Sequence, residues 1–109
     1  MNILIEQAVA AGATVNIMTG QQYEFLPFDA NVQIGLAGSA TGLVATVFAG
    51  PDLIQQEGPV LVLTTFPSIQ DQLYIDELIA GGTRVSINVR NTTGGVLTVR
   101  AVIRILPLQ

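Results

Sequence analysis

The sequence predicts an all-β domain, a sandwich or a barrel of short strands. Three observations carry that expectation. Val, Ile and Thr supply 33 of the 109 residues, and these β-branched side chains, stiff at χ1, suit a pleated, half-buried surface. Eleven glycines and five prolines punctuate the chain every eight to twelve residues, the rhythm of short strands and turns. Apolar residues make up 50% and charged residues only 11%, against about 25% charged in an ordinary soluble domain. Such a chain has the apolar content to fold, which excludes intrinsic disorder. Its length fits one domain, residues 1–109. The weakly polar surface it leaves is expected to meet other protein, so a homo-oligomer is expected.

Each strand has its own pattern. Ile3 to Val9 opens the chain, with Ile3, Ile5 and Val9 on an apolar line interrupted by Gln7. Ala11-Gly12-Ala13 turns, and Thr14 to Met18 follows with Val15 and Ile17 two apart. After Gly20, Tyr23 to Phe28 reads as a third strand bent at Pro27, and Val32 to Leu36 as a fourth with strict alternation. The glycine-rich Gly35 to Gly42 reads as a strand-to-strand loop. Leu43 to Ala49 is a near-continuous apolar strand closed by Gly50-Pro51, and Gln55 to Gly58 a loop. Val60 to Phe66 is the next strand, ended by Pro67 and Ser68. Ile69 to Ile79 fits helical and strand spacing alike; a short strand at Leu73 to Asp76 is the favoured reading. Arg84 to Arg90 and Leu97 to Ile105 alternate most clearly. They predict that Val85, Ile87, Val89, Val99, Ile103 and Ile105 face the core. Between them, Asn91 to Gly95 reads as a turn with two glycines free to take positive φ. The likeness of Ala11–Ile17 to Gly81–Ile87 reads as shared turn chemistry rather than duplication.

Missing residue types narrow the chemistry. The chain contains no His, Cys, Lys or Trp. Cys and His metal sites, disulfides, a Ser-His-Asp triad and a lysine Schiff base are all excluded. An enzyme is the least expected class, and no cofactor or metal is expected. Asp71, Asp76 and Glu77 form the densest acidic cluster. Without calcium-loop spacing or a sugar platform it reads as a solvated face. Ser68 and Thr64 lack a base to activate them, and Gly35 to Gly42 lacks the lysine of a phosphate loop. With a net charge of −4 the chain has no basic footprint for nucleic acid. No apolar run approaches the ~18 residues of a membrane-spanning helix, and Glu6 interrupts any secretory core at the N-terminus.

The arginines are the most informative charges. All four lie in the last quarter: Arg84, Arg90, Arg100 and Arg104. Within each of the two final strands they share the face opposite the apolar line. If these strands form a hairpin with its loop at Thr93 to Gly95, Arg84 falls opposite Arg104, Asn88 falls opposite Arg100, and one surface carries all four arginines. That surface is either a solubilised outer face or a docking patch for an acidic partner.

Short strands, Gly/Pro corners, few charges and the ending AGGTRVSINVRNTTGGVLTVRAVIRILP resemble the viral jelly-roll proteins, and in character a small phage capsid decoration or cement protein. The resemblance implies an antiparallel β-sandwich of jelly-roll type with about eight short strands. In that fold successive strands mostly alternate between sheets, which would break the hairpin pairing of Arg84 with Arg104. It implies a structural virion protein, assembled in the host cytoplasm, that binds the phage head and stabilises capsomer contacts. Its partners would be itself, as dimer or trimer, and a major capsid protein, with no nucleic acid and no membrane. A small capsid or vertex protein is the nearest alternative. A carbohydrate-binding or adhesin sandwich is the alternative from another class, disfavoured by the scarcity of aromatics for stacking on sugars.

Overall fold

The computed structural model describes residues 2–21, 23–63, 66–67 and 74–107. These form nine strands: β1 Asn2–Val9, β2 Thr14–Asn16, β3 Ala30–Gly38, β4 Leu43–Ala49, β5 Asp52–Pro59, β6 Leu61–Val62, β7 Ile75–Ile79, β8 Val85–Asn91 and β9 Leu97–Pro107. One sheet has the order β1-β9-β3, and both β6 and β7 lie along the far side of β3. There β6 runs parallel to the end of β3, and β7 runs antiparallel to its first half. The second sheet has the order β2-β8-β4-β5. The chain crosses between the sheets at every connection except β4–β5 and β6–β7. This is a β-sandwich with jelly-roll connectivity.

Alternation builds the core. Leu43, Ala45, Val47 and Ala49 of β4 are buried and the residues between them half-buried. Val85, Ile87 and Val89 of β8 are buried, as are Val99, Ala101, Ile103 and Ile105 of β9. With Val32, Ile34 and Leu36 of β3 they fill the space between the sheets, each fully buried Val, Leu or Ile side chain contributing about 1.5–3 kcal/mol. The inner faces predicted for the last two strands are the observed ones.

Among the described residues, polar links through Asn91 and Tyr74 tie the sheets together. Asn91, buried at the end of β8, donates from Nδ2 to the carbonyls of Val9 (2.9 Å) and Gly95 (2.7 Å). Its Oδ1 accepts from Thr93 N at 2.9 Å and Thr93 Oγ1 at 2.7 Å. All its polar atoms are thus satisfied, as burial requires. Tyr74 donates from its hydroxyl to the carbonyls of Ala45 (3.0 Å) and Gly58 (3.3 Å), while its N–H donates to Ile34 O at 2.7 Å. Ala45 stands where the β4–β5 register shifts. A bulge interrupts the ladder there, and the tyrosine reaches it from the other sheet. Burial, and then the charge of Glu57, push the Tyr74 phenol above its ordinary value.

Several expected elements change. Tyr23 to Phe28 is not a strand: among its described residues only Phe25 makes a bridge, to Arg84. Thr14 to Met18 ends at Asn16, whose Oδ1 accepts from Met18 N and Ile87 N, both at 3.1 Å. The expected loop at Gln55 to Gly58 is part of β5, which is exposed over most of its length and so lacks an alternating signature. Gly35 to Gly38 continue β3, leaving only Ser39 to Gly42 as loop. Gly42 has φ +127°, and a Cβ there would collide with Thr93 Cγ2. Of Val60 to Phe66 only Leu61–Val62 is strand among the described residues; Thr64 and Thr65 lie outside them. The strand expected at Leu73 to Asp76 runs from Ile75 to Ile79, and Leu73 lies outside the described residues. Gly94 and Gly95 do not take positive φ, because Asn91 holds that turn instead. The likeness of Ala11–Ile17 to Gly81–Ile87 extends to the turn itself. Ala13 N donates to Ala10 O and Thr83 N to Ala80 O, and Gly12 and Gly82 both have positive φ.

Candidate interaction surfaces

The four arginines do not share a surface. β8 and β9 lie in different sheets, with β8 between β2 and β4 and β9 between β1 and β3. The hairpin that would set Arg84 opposite Arg104 does not form. Jelly-roll connectivity sends β9 across the sandwich after the Asn91 turn. Arg84 and Arg90 therefore belong to the outer side of the four-stranded sheet, and Arg100 and Arg104 to that of the five-stranded sheet. Asn88 pairs with Thr46 and Asn16, while Arg100 pairs with Glu6 and Ala37.

The two outer faces differ in how far their charges are already used. Arg90 meets Glu57 in a two-pronged pair, at 2.6 Å and 2.9 Å. The hydrogen bond holds the Glu57 carboxyl below its usual range and raises the guanidinium. Arg84 meets Glu24 at 2.8 Å and lies 5.9 Å from the centre of the exposed Phe25 ring. Glu24 also accepts from Gly20 N at 3.0 Å, and this bond leads in lowering its carboxyl, with Arg84 assisting. On the five-stranded sheet the pairing is looser. Arg100 lies 3.6 Å from Glu6. Arg104 stands in register with Gln33, whose Nε2 donates to Asp76 Oδ2 at 3.3 Å, and among the described residues Arg104 has no carboxylate partner.

Of the acidic cluster, Asp76 and Glu77 are described. Asp76 and Glu77 are successive residues of β7, directed to opposite faces, and Asp71 lies outside the described residues, as does Ser68.

Exposed apolar side chains form the feature that sequence reasoning missed. Leu4 of β1 is 62% exposed at one margin of the five-stranded sheet, and Leu78 of β7 is 67% exposed at the other, with Leu61 and Val62 of β6 on the same side. Phe25, Leu53 and Val96 are exposed elsewhere. The signal was partly legible, since apolar residues at positions 4 and 78 break the alternation of their strands. These surfaces combine apolar contact with forked hydrogen-bond donors, a chemistry of adhesion. A scan against protein-family models finds no match, and searches of curated proteins and of solved structures find no significant similarity.

Proposed function

We propose that this chain is a structural assembly module that decorates a phage capsid, cementing neighbouring capsomers. One observation carries the reading: large apolar side chains stand exposed at both margins of the five-stranded sheet, on a chain with few charges. Two separated adhesive margins suit a protein that contacts its own kind, as dimer or trimer, on one side and a major capsid protein on the other. Jelly-roll connectivity is shared by viral capsid and lectin domains. A shared fold alone leaves function open, so the weight falls on the margins. Arg100 and Arg104, the less committed pair, are the arginines offered to an acidic shell surface.

Decoration-deficient capsids incubated with the protein test this reading. Saturable binding, weakened when Arg100 and Arg104 are both replaced by Ser, supports it. Absence of the protein from purified virions by quantitative mass spectrometry, with no binding to such capsids, overturns it.

A further inference from the structure

The backbone of β1 carries an unused ladder. Ser39 N donates to Thr98 O at 2.9 Å, and Thr98 N donates to Ser39 Oγ at 3.0 Å. The peptide groups of Thr98 therefore point towards β3, and by alternation those of Val99, Ala101 and Ile103 point towards β1. They face Gln7, Ile5 and Ile3. The N–H and C=O groups of Leu4, Glu6 and Ala8 are left directed away from β9. Among the described residues no strand lies on that side.

Among the described residues, every other free edge of the sandwich is guarded. β5 carries Asp52, Glu57 and Pro59 and two register shifts. β2 has three residues, β6 has two, and β7 carries Asp76 and Glu77. Short length, charge, proline and bulges are the devices that stop an edge from pairing with another chain. β1 has eight residues, a single charge, no proline and an unbroken register with β9.

We propose that β1 pairs antiparallel with β1 of a second copy across a two-fold axis, joining two five-stranded sheets into one. The proposal rests on the part of the reading above in which the chain associates with itself, and not on the capsid.

The side chains select the register. Residues with free backbone groups must face each other, so Leu4 can stand opposite Asn2, Leu4, Glu6 or Ala8 of the second copy; opposite Asn2, only residues 2–4 of each β1 would pair. With Leu4 opposite Ala8, Glu6 meets Glu6, and like charges directly opposite repel. With Leu4 opposite Glu6, a carboxylate faces an apolar side chain. With Leu4 on Leu4, the apolar row continues through Val102 of each β9, which pairs with Leu4 and is only 7% exposed. Glu6 then stands opposite position 2 of the second copy. Because Asn2 pairs with Arg104, Glu6 lies two strands, about 10 Å, from the second copy's Arg104. Glutamate and arginine side chains span that distance together. Arg104, without a carboxylate partner among the described residues, gains one, and the carboxylate held loosely by Arg100 is shared between two guanidinium groups.

The absence of cysteine from the sequence makes the register testable by single thiols. In this register Leu4→Cys places two cysteines opposite each other, with Cα atoms about 5.5 Å apart, inside the disulfide range of about 4.4–6.8 Å. Glu6→Cys leaves its two thiols four residues apart along the strands, about 13 Å. Mild oxidation is expected to convert Leu4→Cys to a covalent dimer and to leave Glu6→Cys monomeric on a denaturing gel. Cross-linking of Glu6→Cys but not Leu4→Cys, of both equally, or of neither overturns the proposal. A second variant, Leu4→Lys, sets two ammonium groups at the axis. It is expected to sediment as a monomer with unchanged circular dichroism, since Leu4 is exposed. An oligomer that survives Leu4→Lys overturns β1 as the interface while leaving self-association standing.

Discussion

β1 and β5 are both outer strands of eight residues, one in each sheet, and they are built in opposite ways. β5 is exposed on both sides over most of its length, slips twice against β4 and carries two acids and a proline. β1 keeps one register with β9 throughout and has Ile5 and Val9 in the core. The first edge is closed to further pairing and the second is open. The contrast shows that a chain poor in charge spends its few acids selectively: Asp52 and Glu57 sit on one edge, and only Glu6 on the other.

The largest expected effect lies where neither edge matters. Ile87→Ala removes a fully buried side chain from between the sheets and is expected to cost about 2–5 kcal/mol in urea unfolding. Leu53→Ala on β5 removes an exposed one and should change stability by less than about 0.5 kcal/mol. Similar losses for both would mean that β5 packs far more than its exposure shows.

Next comes the link at Asn91. Asn91→Ala leaves the Val9 carbonyl at the end of β1 without its side-chain donor and should cost roughly 1–3 kcal/mol. Amide exchange at the end of β1 and in the Thr92 to Gly95 turn is expected to speed up more than exchange in β5. The comparison blurs if β5 responds equally.

Tyr74→Phe tests how the bulged edge is held. Losing the hydroxyl's bonds to Ala45 O and Gly58 O should cost about 1 kcal/mol. It should also change the alkaline limb of the stability curve. The fold raises the phenol's pKa, so it favours the neutral form. That contribution is full below the ordinary value of about 10 and is lost as pH rises through the raised one. Melting temperature against pH should lose part of its alkaline fall in the variant.

The smallest effects belong to the exposed pairs. The carboxyls of Glu24 and Glu57 are lowered, so their contribution is full above the ordinary carboxylate range and is lost as pH falls through the lowered values. Glu57→Gln should flatten the acid limb slightly and change little at neutral pH in high salt, where exposed pairs are screened.

What was legible in the sequence follows from burial. β4, β8 and β9 are central strands with one face in the core; period-two alternation marked β8 and β9, and a near-continuous apolar run closed by Gly50-Pro51 marked β4, all with boundaries within two residues of the observed ones. β5 was missed because an edge strand wet on both sides has nothing to alternate. Tyr23 to Phe28 was mistaken for a strand because its apolar residues serve a loop, where Leu26 is buried without a ladder. The arginine positions were legible as outward. Strand alternation says nothing about which sheet a strand joins, so their separation onto two faces was legible only through the jelly-roll resemblance, which implies that successive strands alternate between sheets. The open ladder of β1 was also out of reach, since an edge is defined by its neighbours and not by its own residues.

Residue-resolved hydrogen exchange, followed as protein concentration rises, tests the account most directly. If β1 is the self-pairing edge, the amides of Leu4 and Glu6 exchange quickly in dilute solution and become protected as the dimer forms, while those of β5 stay unchanged. Amides of Leu4 and Glu6 that exchange freely at every concentration, or protection that appears on β5 instead, would contradict it.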